Sequence, residues 1–385
     1  MRVLHLITSL STGGAETMLR NVVTRSKAPG NESLVVSLTA KSMIGEEIES
    51  NGIRVVALDG RAGVLTPNQC LQMFRTVRSW RPDIVHSWMY HANLAAQVMS
   101  SLIGRRRFRL ITSVRGAMYA PQAQKRSLRV VRALDAKLSS RANAIVFNSR
   151  VVMRQHGGAG YDLRHACVIP NGFDTVKFRP SSAVRTRVRA ELGMTNAQVV
   201  GIVARYHPLK GHRYFLEAAR EISIANPTAR FLMIGRGCDE QNSELTSLIS
   251  SLGLKDKLIS LGERHDVDVL QNAFDVAVCS SISESFPNSI GEAMAAGIPC
   301  VCSNVGDCSE LVGTAGRIVP TGDSSAIAAA VLELLLLSAE QRAAIGAAGR
   351  QRIQANYSID SVIQQFSSLH ARVYEGLPTT DAAIQ

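Results

Sequence analysis

The stretch SESFPNSIGEAMAAGIPCVCS, Ser283 to Ser303, decides the fold because it carries successive elements of an α/β sheet. One apolar run, Val276–Cys279, precedes it, and a second, Ile298–Cys302, lies near its end. This pattern predicts a strand, a loop, a helix and another strand. Glu284 falls in the loop and Glu292 near the helix start, with seven residues between them.

A helix start carries free N–H groups and the positive end of the helix dipole, so it suits an anionic ligand. Two carboxylates beside it can accept hydrogen bonds from the hydroxyls of a ribose and a sugar ring. A purely structural alternative stays open at this point. Ser289 followed by Glu292 also fits a capping box, in which Glu292 would only satisfy backbone N–H groups.

The same stretch resembles the signature of glycosyltransferase family 4, in which two glutamates are separated by seven residues. Further residues agree with the family pattern: Phe286, Pro287, Asn288, Gly291, Ala296, Gly297 and Pro299. Other segments agree in the same order over nearly the whole chain. The resemblance implies the α/β fold called GT-B, two doubly wound Rossmann-like domains facing across a cleft, and retaining transfer from a nucleotide-sugar.

Apolar runs alternate with amphipathic stretches along the chain, which favours mostly parallel sheets covered on both faces. The predicted strands are Val3–Thr8, Ser33–Thr39, Arg54–Leu58, Ile84–Ser87, Arg109–Ser113, Ala144–Asn148, Val199–Ala204, Arg230–Gly235, Lys257–Leu261, Val276–Ser280 and Pro299–Ser303. We expect an acceptor-side domain over residues 1–181 and a nucleotide-sugar-binding domain over 182–358, joined by a polar linker around Ser181–Arg189. The resemblance implies that a C-terminal helix, 359–377, packs back on the first domain.

Two cations flank the turn after the predicted strand Val199–Ala204. Arg205 and Lys210 can converge on one diphosphate, with arginine as a bidentate fork and lysine as a point charge. Their charge would also assist departure of the leaving group. The alternative is a pair of surface cations at a strand end. The family has an arginine and a Lys-Gly pair here, which match Arg205, Lys210 and Gly211.

Glycine-rich turns follow two other predicted strands. Gly13 and Gly14 lie in SLSTGGAE after the first strand, and Gly235 and Gly237 lie in IGRGCDE. Each pair fits a tight turn alone or a close approach of the backbone to a ligand. The resemblance implies that the first pair lies near the donor diphosphate and the second near the nucleotide base.

The resemblance also implies roles for the residues of the opening stretch. Glu292 would bind the ribose hydroxyls, and Glu284 would bind the donor sugar. Backbone groups of the segment Phe286, Pro287, Asn288 and Ser289 would contact the sugar or the phosphate. No covalent nucleophile is assigned.

Two histidines lie at the end of the predicted strand Ile84–Ser87 in DIVHSWMYHANL: His86 within the strand and His91 after it. The family commonly has a histidine where this chain has Trp88, and His91 resembles a Trp-Met-Tyr-His-Ala-Asn variant. We therefore predict His91 and Glu284 as residues of the catalytic centre. His86 and Arg115 are placed on the acceptor side.

The charge of the chain is unevenly distributed. The net charge is +12, and residues 1–180 carry 26 Lys and Arg against 10 Asp and Glu. Arg105 to Arg141 contains eleven of these cations and one acid, Asp135. Such a patch attracts an anionic lipid surface or nucleic acid, or forms a solvated helix face. Because no nucleic-acid-binding motif accompanies it, we expect an anionic membrane surface and no nucleic acid.

Several other features of the sequence limit which kind of protein this can be. The longest apolar run, Ala326 to Leu337, is too short to span a bilayer. The N-terminus fits a first buried strand, so a cytoplasmic location is expected, with peripheral contact at the inner face of the cell membrane. The scattered cysteines predict reduced thiols, with Cys300 and Cys302 as core residues. No metal pattern is present, so we expect neither metal nor cofactor.

Together with these observations, the resemblance implies a retaining glycosyltransferase of cell-surface polysaccharide biosynthesis. It would move a hexose or N-acetylhexosamine from a nucleoside diphosphate, expected to be UDP, to a glycan or lipid-linked acceptor. One alternative is another GT-B enzyme, either a nucleotide-sugar epimerase or a glycan phosphorylase with a pyridoxal lysine. The other is a non-catalytic protein that keeps the fold and binds polyanions or membranes.

Overall fold

The computed structural model describes residues 1–11, 13–26, 30–60, 66–104, 107–118 and 126–379. The chain divides into two compact units. Unit 1 comprises Met1–Gly172 and Ile359–Gln385, and unit 2 comprises Phe173–Ser358. Each unit is built on its own parallel sheet.

Unit 1 begins with strands and helices in regular alternation, as the apolar pattern predicts. Its strands are β1 (Arg2–Ile7), β2 (Glu32–Ser37), β3 (Arg54–Ala57), β4 (Ile84–Trp88), β5 (Arg109–Val114), β6 (Ala144–Phe147) and β7 (Ala166–Val168). Its helices are α1 (Gly14–Arg25), α2 (Ser42–Ser50), α3 (Pro67–Trp80), α4 (Tyr90–Ile103), α5 (Arg126–Leu138) and α6 (Arg150–Gly158). In the described residues the strand order is β3-β2-β1-β4-β5-β6-β7, all parallel.

Unit 2 repeats the same architecture. Its strands are β8 (Gln198–Val203), β9 (Ala229–Ile234), β10 (Leu258–Ser260), β11 (Val276–Cys279), β12 (Cys300–Ser303) and β13 (Gly316–Val319). Its helices are α7 (Ser182–Glu191), α8 (His212–Ala225), α9 (Ser243–Ser251), α10 (Val267–Leu270), α11 (Asn288–Ala295), α12 (Cys308–Val312), α13 (Ser324–Leu336) and α14 (Ala339–Asn356). The order is β10-β9-β8-β11-β12-β13, again parallel among the described residues.

The final helix, α15 (Ile359–Glu375), belongs to unit 1. It packs with α1 and α2 on one face of the sheet, where Phe366 is fully buried. Helices α3 to α6 cover the other face. Successive residues of β1 alternate between the two cores, with Val3 and Ile7 on the α15 face and Leu4 and Leu6 on the other.

The order of strands reverses between β1 and β4 in unit 1 and between β8 and β11 in unit 2. In doubly wound sheets the loops at such a point part in opposite directions and leave a crevice at the carboxyl ends of the strands. Two crevices are therefore defined by the topology. The predicted donor residues Lys210 and Glu284 follow β8 and β11, the two strands that flank the crevice of unit 2.

The sequence-based linker around Ser181–Arg189 is wrong. This segment is helix α7, capped at its N-terminus by Ser181, whose Oγ accepts from the N–H of Val184. Its cations look like a polar linker in the sequence but bind the buried Asp275: Arg185 and Arg189 each lie 2.5 Å from a carboxylate oxygen.

The division between the units falls at Phe173, earlier than residue 182. The N–H of Phe173 donates to the carbonyl of Tyr357 at 2.8 Å, within unit 2. Phe173 and Phe178 are buried in the core of unit 2. Arg350 also donates to the carbonyl of Phe178 at 2.9 Å. These apolar and hydrogen-bonded contacts attach residues 173–181 to the second unit.

Two short strands were not predicted. β7 has three residues and β13 has four, Gly316–Val319. Each is defined by the neighbour with which it pairs: β6 for β7, and β12 for β13.

In the part of the chain that the structure describes, no single helix is long and apolar enough to cross a membrane. Helices α13 and α14, Ser324–Leu336 and Ala339–Asn356, are long and apolar enough only when taken together, and they are bent by 115°.

Candidate functional site

The loops at the carboxyl edge of the unit 2 sheet pack closely on one another. A Cβ atom on Gly211 would collide with the carbonyl oxygen of Ser280, so the turn after β8 lies directly against the end of β11. A Cβ atom on Gly235 would likewise collide with the carbonyl oxygen of Ala204. Both glycines have positive φ, 65° and 152°, which favours glycine at these two turns. The turns that carry the predicted residues therefore form one continuous surface.

Lys210 and Glu284 form an ion pair across this crevice. Lys210 Nζ lies 2.5 Å from Glu284 Oε1, and the side chains are 27% and 12% exposed. Ser281, the second residue after β11, donates from Oγ to the same carboxylate oxygen at 2.7 Å. The structure thus brings together two residues that the sequence separates by 74 positions. The pair holds a cation and an acceptor at the mouth of a topological crevice.

Arg205 is exposed and has no hydrogen-bond or ion-pair partner in the described part of the chain. Its neighbour Tyr206 donates its N–H to the carbonyl of Arg236 at 2.8 Å, which holds the β8 turn against the β9 turn. The pKa of His207 is lowered, first by burial and then by the charges of Arg205 and Lys210. The two cations therefore act on the same small region, as an anion site requires.

The Gly235–Gly237 turn lies beside this region. Gly237 has φ +75°, and a Cβ atom there would lie 3.2 Å from Cβ of Tyr206. The N–H of Gly235 donates to the carbonyl of Gly262 at 2.7 Å, so the turn is fixed by the backbone. The predicted glycine turn is thus adjacent to the predicted cations.

Helix α11 begins at Asn288, with Pro287 at its N-cap and no side-chain cap hydrogen bond. Ser289 is therefore inside the helix and cannot be the N-cap of a capping box with Glu292. The structural alternative for Glu292 is wrong for that reason. Phe286 anchors the helix start: it is 5% exposed and stacks on Phe173, with ring centroids 6.1 Å apart.

Glu292 lies on α11, half-buried, and the structure does not place it in an ion pair with a described cation. Burial raises the pKa of its carboxyl to about 7, with Lys177 lowering it and Asp268 raising it. Glu284 instead bonds to Lys210. The two glutamates therefore have different surroundings: Glu284 is paired with a cation, whereas the pKa of Glu292 is governed mainly by burial.

His91 lies in the first turn of α4, at the carboxyl edge of the unit 1 sheet. It is half-buried, and burial lowers the pKa of its imidazole, which favours the neutral ring. Met89, just before it, has φ 72° and ψ 159°, a conformation that non-glycine residues rarely adopt. Backbone strain of this kind concentrates at functional sites, and here it tightens the turn between β4 and the helix that bears His91.

The Gly13–Gly14 turn lies at the same edge of unit 1. Gly14 is the first residue of α1 and Gly13 is its N-cap. A Cβ atom on Gly13 would collide with the carboxylate of Glu16, which also accepts from Ser9 Oγ at 3.3 Å. Burial raises the pKa of Glu16. Glu16 was not singled out from the sequence, and the structure places its acid group over the glycine turn.

The two residues expected on the acceptor side lie in the interior. His86 is fully buried, and its ring nitrogens bond to His370 Nε2 at 2.9 Å and Ser113 Oγ at 2.8 Å. Arg115 is 7% exposed and donates to Asn171 Oδ1 at 2.5 Å. Neither side chain reaches solvent to meet an acceptor, so we correct both to packing roles beneath α15.

The cysteines are free, and Cys70 is the exposed member of the seven. Cys300 and Cys302 are fully buried on β12, which confirms them as core residues. Burial raises the pKa of Cys300 and of Cys302, so both thiols stay protonated near neutral pH. Among the described residues no group of three or more His, Cys, Asp or Glu side chains could hold a metal ion.

Sequence reasoning missed three residues of these crevices: Ser281, Glu16 and Met89. Ser281 had a signal, because it directly follows a predicted strand and precedes Glu284 by three residues. Glu16 had a weaker one, two residues after the glycine pair. The unusual φ of Met89 has no signature in the sequence, since methionine is not selected for positive φ.

Two protein families match the sequence of this chain. The model described as Glycosyltransferase Family 4 matches residues 12–177, and the model described as Glycosyl transferases group 1 matches residues 197–336. The first match lies in unit 1 except for its last five residues, and the second lies within unit 2. They leave between them only the segment that contains α7.

Curated relatives are bacterial glycosyltransferases. The chain is 27% identical to the UDP-Gal:alpha-D-GlcNAc-diphosphoundecaprenol alpha-1,3-galactosyltransferase of Escherichia coli, over 61% of this chain and 61% of that enzyme. It is 25% identical to the lipopolysaccharide core biosynthesis mannosyltransferase of Rhizobium meliloti, over 77% of this chain and 84% of the relative. A D-inositol 3-phosphate glycosyltransferase of Corynebacterium urealyticum is 26% identical over 95% and 91%.

Solved structures share the fold over almost the whole chain. Anabaena HepE in complex with UDP has a TM-score of 0.84 at 23% identity, covering 96% of this chain and 100% of that one. Sucrose-phosphate synthase from Thermosynechococcus elongatus has a TM-score of 0.82 at 18% identity, covering 98% and 100%. These likenesses confirm the predicted GT-B fold. The two family matches, together with the curated relatives, show that the chain is a glycosyltransferase and belongs to family 4.

Proposed function

We propose that the chain is a retaining glycosyltransferase that moves a hexose or N-acetylhexosamine from a nucleoside diphosphate sugar to a glycan or lipid-linked acceptor. UDP is the proposed nucleotide. Supporting it, the E. coli relative is named for a UDP-galactose donor and a diphosphoundecaprenol acceptor, and Anabaena HepE was crystallised with UDP and with UDP-glucose. The proposed setting is cell-surface polysaccharide biosynthesis.

The observation that carries this proposal is the Lys210–Glu284 pair at the crevice of unit 2, with the exposed Arg205 beside it. A diphosphate has the negative charge and the oxygen acceptors that the two cations, Lys210 and Arg205, can bind. Neutralising the diphosphate as the glycosidic bond breaks stabilises the leaving group. Glu284, held by Lys210 and Ser281, is oriented to accept hydrogen bonds from sugar hydroxyls.

The remaining donor contacts follow from α11 and the glycine turns. The first turn of α11 presents N–H groups and the positive end of the helix dipole toward an anionic or polar ligand. Glu292 is proposed to accept from the ribose hydroxyls, and the Gly235–Gly237 turn to approach the base. His91, Gly13 and Gly14 remain predicted contacts of the reacting centre and the donor diphosphate.

The two cations also underlie the proposal that no metal is required, since they supply the charge neutralisation that a divalent ion would otherwise provide. Activity retained in excess EDTA supports this part. Activity restored only by added Mg²⁺ or Mn²⁺ contradicts it.

A donor-binding experiment tests the core of the proposal. Isothermal titration of a panel of nucleotide-sugars should show saturable binding of at least one UDP-sugar to the wild-type protein. Lys210→Ala and Glu284→Gln should each weaken it at least tenfold, because the first removes a charge-assisted hydrogen bond to the diphosphate and the second an anionic acceptor for the sugar hydroxyls, each worth about 1.5 to 3 kcal/mol. Lys255→Ala, an exposed lysine of the same unit, is the matched control. Equal affinity in all four proteins would refute the site.

The stereochemical part has its own measurement. Proton NMR of the first-formed product should show the anomeric configuration of the donor. An inverted anomer refutes retention while leaving transfer intact. Conversion of the nucleotide-sugar without any acceptor would instead favour an epimerase, and a pyridoxal absorbance band would favour a phosphorylase.

We also propose that the enzyme acts in the cytoplasm at the inner face of the cell membrane, through helix α5. The exposed residues of α5 combine cations with apolar side chains: Arg126, Arg129, Val130, Leu134 and Lys137. Val130 is 59% exposed and Leu134 45%. An amphipathic helix with a basic, apolar face binds the interface of an anionic bilayer.

The acid of this basic stretch does not weaken that face. Asp135 is fully buried, where it accepts from Gln97 Nε2 at 2.5 Å and from Tyr161 Oη at 2.7 Å. These bonds turn it toward α4 and away from the surface. Leu102 of the neighbouring α4 is 75% exposed and extends the apolar part. The resulting surface, the α4–α5 face, is cationic and apolar.

A further inference from the structure

A large cavity opens at the amino edge of the unit 1 sheet. Its volume is about 650 Å³, and it is lined by the start of β5, the residues before β6 and β7, and the segment after α15. Thr379 attaches that last segment to the sheet through its Oγ1, which donates to the carbonyl of Asn143 at 3.4 Å. The six residues of β5 separate this edge from the carboxyl edge by about 20 Å. The cavity is thus distinct from the predicted donor and catalytic residues.

Three arginines line the cavity, Arg109, Arg141 and Arg164, together with His165. Arg164 is neutralised by Asp162, with Nη2 2.5 Å from Oδ2. Arg141 donates to the neutral Ser101 Oγ at 2.7 Å. Within the described ranges, Arg109 and Arg141 have no carboxylate partner. Two uncompensated guanidinium groups in one concave site favour a phosphate or carboxylate ligand.

Arg109 extends across the cavity. A Cβ atom on Gly376 would lie 3.2 Å from its Nη2, so the guanidinium reaches the segment that follows α15. The rest of the lining is mixed, with Ser140 and Asn143 as polar groups and Phe108, Val373, Leu377 and Pro378 as apolar walls. Such a lining suits a ligand with an anionic head and an adjoining apolar part.

The cavity adjoins the α4–α5 face. Ser100 of α4 lines it, and the next residues along the helix, Ser101 and Leu102, are exposed on that face. Arg141, which follows α5, lines the cavity and bonds to Ser101. A bilayer in contact with the α4–α5 face would therefore bring its phosphate groups to the mouth of the cavity.

We propose that this cavity binds the phosphate ester headgroup of an anionic glycerophospholipid, with Arg109 and Arg141 as its ligands. The proposal rests on the membrane part of the proposed function and not on the donor site. The phosphate is held between the two guanidinium groups, and the glycerol and first acyl carbons lie along Phe108 and Leu377. The site would fix the orientation of unit 1 on the bilayer, which the diffuse charge of α5 alone does not do.

Vesicle sedimentation and a soluble headgroup test it together. Wild-type protein is mixed with phosphatidylglycerol–phosphatidylcholine vesicles, and separately titrated with sn-glycerol 1-phosphate while its melting temperature is recorded. Arg109→Gln and Arg141→Gln should each weaken vesicle binding about fivefold and abolish the melting shift caused by glycerol phosphate. Arg54→Gln removes the same charge from β3, the strand at the opposite end of the sheet, and should change neither vesicle binding nor the melting shift. Arg109→Lys should partly restore binding.

The outcomes separate the cavity from the rest of the proposed function. Vesicle binding that falls equally in Arg54→Gln and the cavity variants overturns the cavity and leaves a diffuse electrostatic contact. If glycerol phosphate raises the melting temperature but the protein does not bind vesicles, the cavity takes a free phosphate ester, and the proposal of a lipid headgroup is overturned. No response to either probe overturns the site altogether. In each case UDP-sugar affinity should match that of the wild type, because Arg109 and Arg141 lie in unit 1, away from the donor residues.

Discussion

Replacing Glu292 by glutamine should weaken donor binding and at the same time stabilise the protein, in a way that depends on pH. Burial raises the pKa of this carboxyl from its ordinary value of 4.5 to about 7. At low pH the group is protonated in both folded and unfolded states and contributes nothing. As the pH rises from 4.5 to about 7, ionisation of this carboxyl stabilises only the unfolded state, so the free energy of unfolding falls. Above pH 7 the loss is complete.

The magnitude follows from the two pKa values. At 1.36 kcal/mol for each tenfold change in proton affinity, the ionised Glu292 costs about 3 kcal/mol at pH 8.5. At pH 5 the same relation gives a cost of about 1 kcal/mol. Glutamine keeps the shape and removes the charge. The variant should therefore exceed the wild type in free energy of unfolding by about 3 kcal/mol at pH 8.5 and about 1 kcal/mol at pH 5.

Urea denaturation followed by far-ultraviolet circular dichroism measures this difference. Tryptophan fluorescence would be a poor choice, because Trp80 and Trp88 both lie in unit 1 and Glu292 lies in unit 2. Glu263→Gln, an exposed carboxylate of unit 2, is the control and should show no pH-dependent gain. A stability difference for Glu292→Gln that is the same at both pH values would refute the raised pKa of Glu292. Unchanged UDP-sugar affinity would refute its role in the donor site.

Lys210→Arg keeps the charge but not the point geometry, and should weaken UDP-sugar affinity less than Lys210→Ala does; titration calorimetry compares them, and equal losses would contradict a charge role. Gly211→Ala should destabilise by more than about 2 kcal/mol, because its φ is 65° and its Cβ would collide with the end of β11. Gly193→Ala has the same φ and open space around it, so it should cost only about 1 kcal/mol, and equal losses would remove the steric argument. Phe366→Ala, at a fully buried site of α15, should cost about 3 to 5 kcal/mol and alter Trp88 fluorescence, and a near-neutral result would contradict tight packing of α15.

Much of the fold was predictable because parallel sheets have strong local signatures. Strands such as β8 and β11 are short apolar runs, and the helices between them are amphipathic, so their positions follow from periodicity. The segment α7 was misjudged as a linker because its arginines look solvated, whereas Arg185 and Arg189 are drawn inward by a carboxylate 90 and 86 positions away. Local patterns cannot report a partner that distant.

In the candidate site, too, some positions could be predicted from local sequence and others could not. Lys210, Arg205 and Glu284 were predicted because each follows a strand, and the carboxyl ends of parallel strands share one edge. His86 lies near the end of a strand as well, yet its side chain is inside unit 1, bonded to His370 from the other end of the sequence. Whether a histidine faces solvent or a returning helix depends on a contact that no neighbouring residue encodes.

By itself, the amino-acid sequence determined the two sheets, the spacing of the glutamates, and the strand ends at which polar side chains collect. These features depend on side-chain period and on short turns, both of which are local. Only the tertiary structure decided that Lys210 pairs with Glu284, that Glu292 has no ion-pair partner among the described residues, and that Asp135 turns inward, away from the exposed cations and apolar side chains of α5. Each of these depends on packing between segments far apart in the chain, where distance and burial determine which charges meet, and no local pattern contains that information.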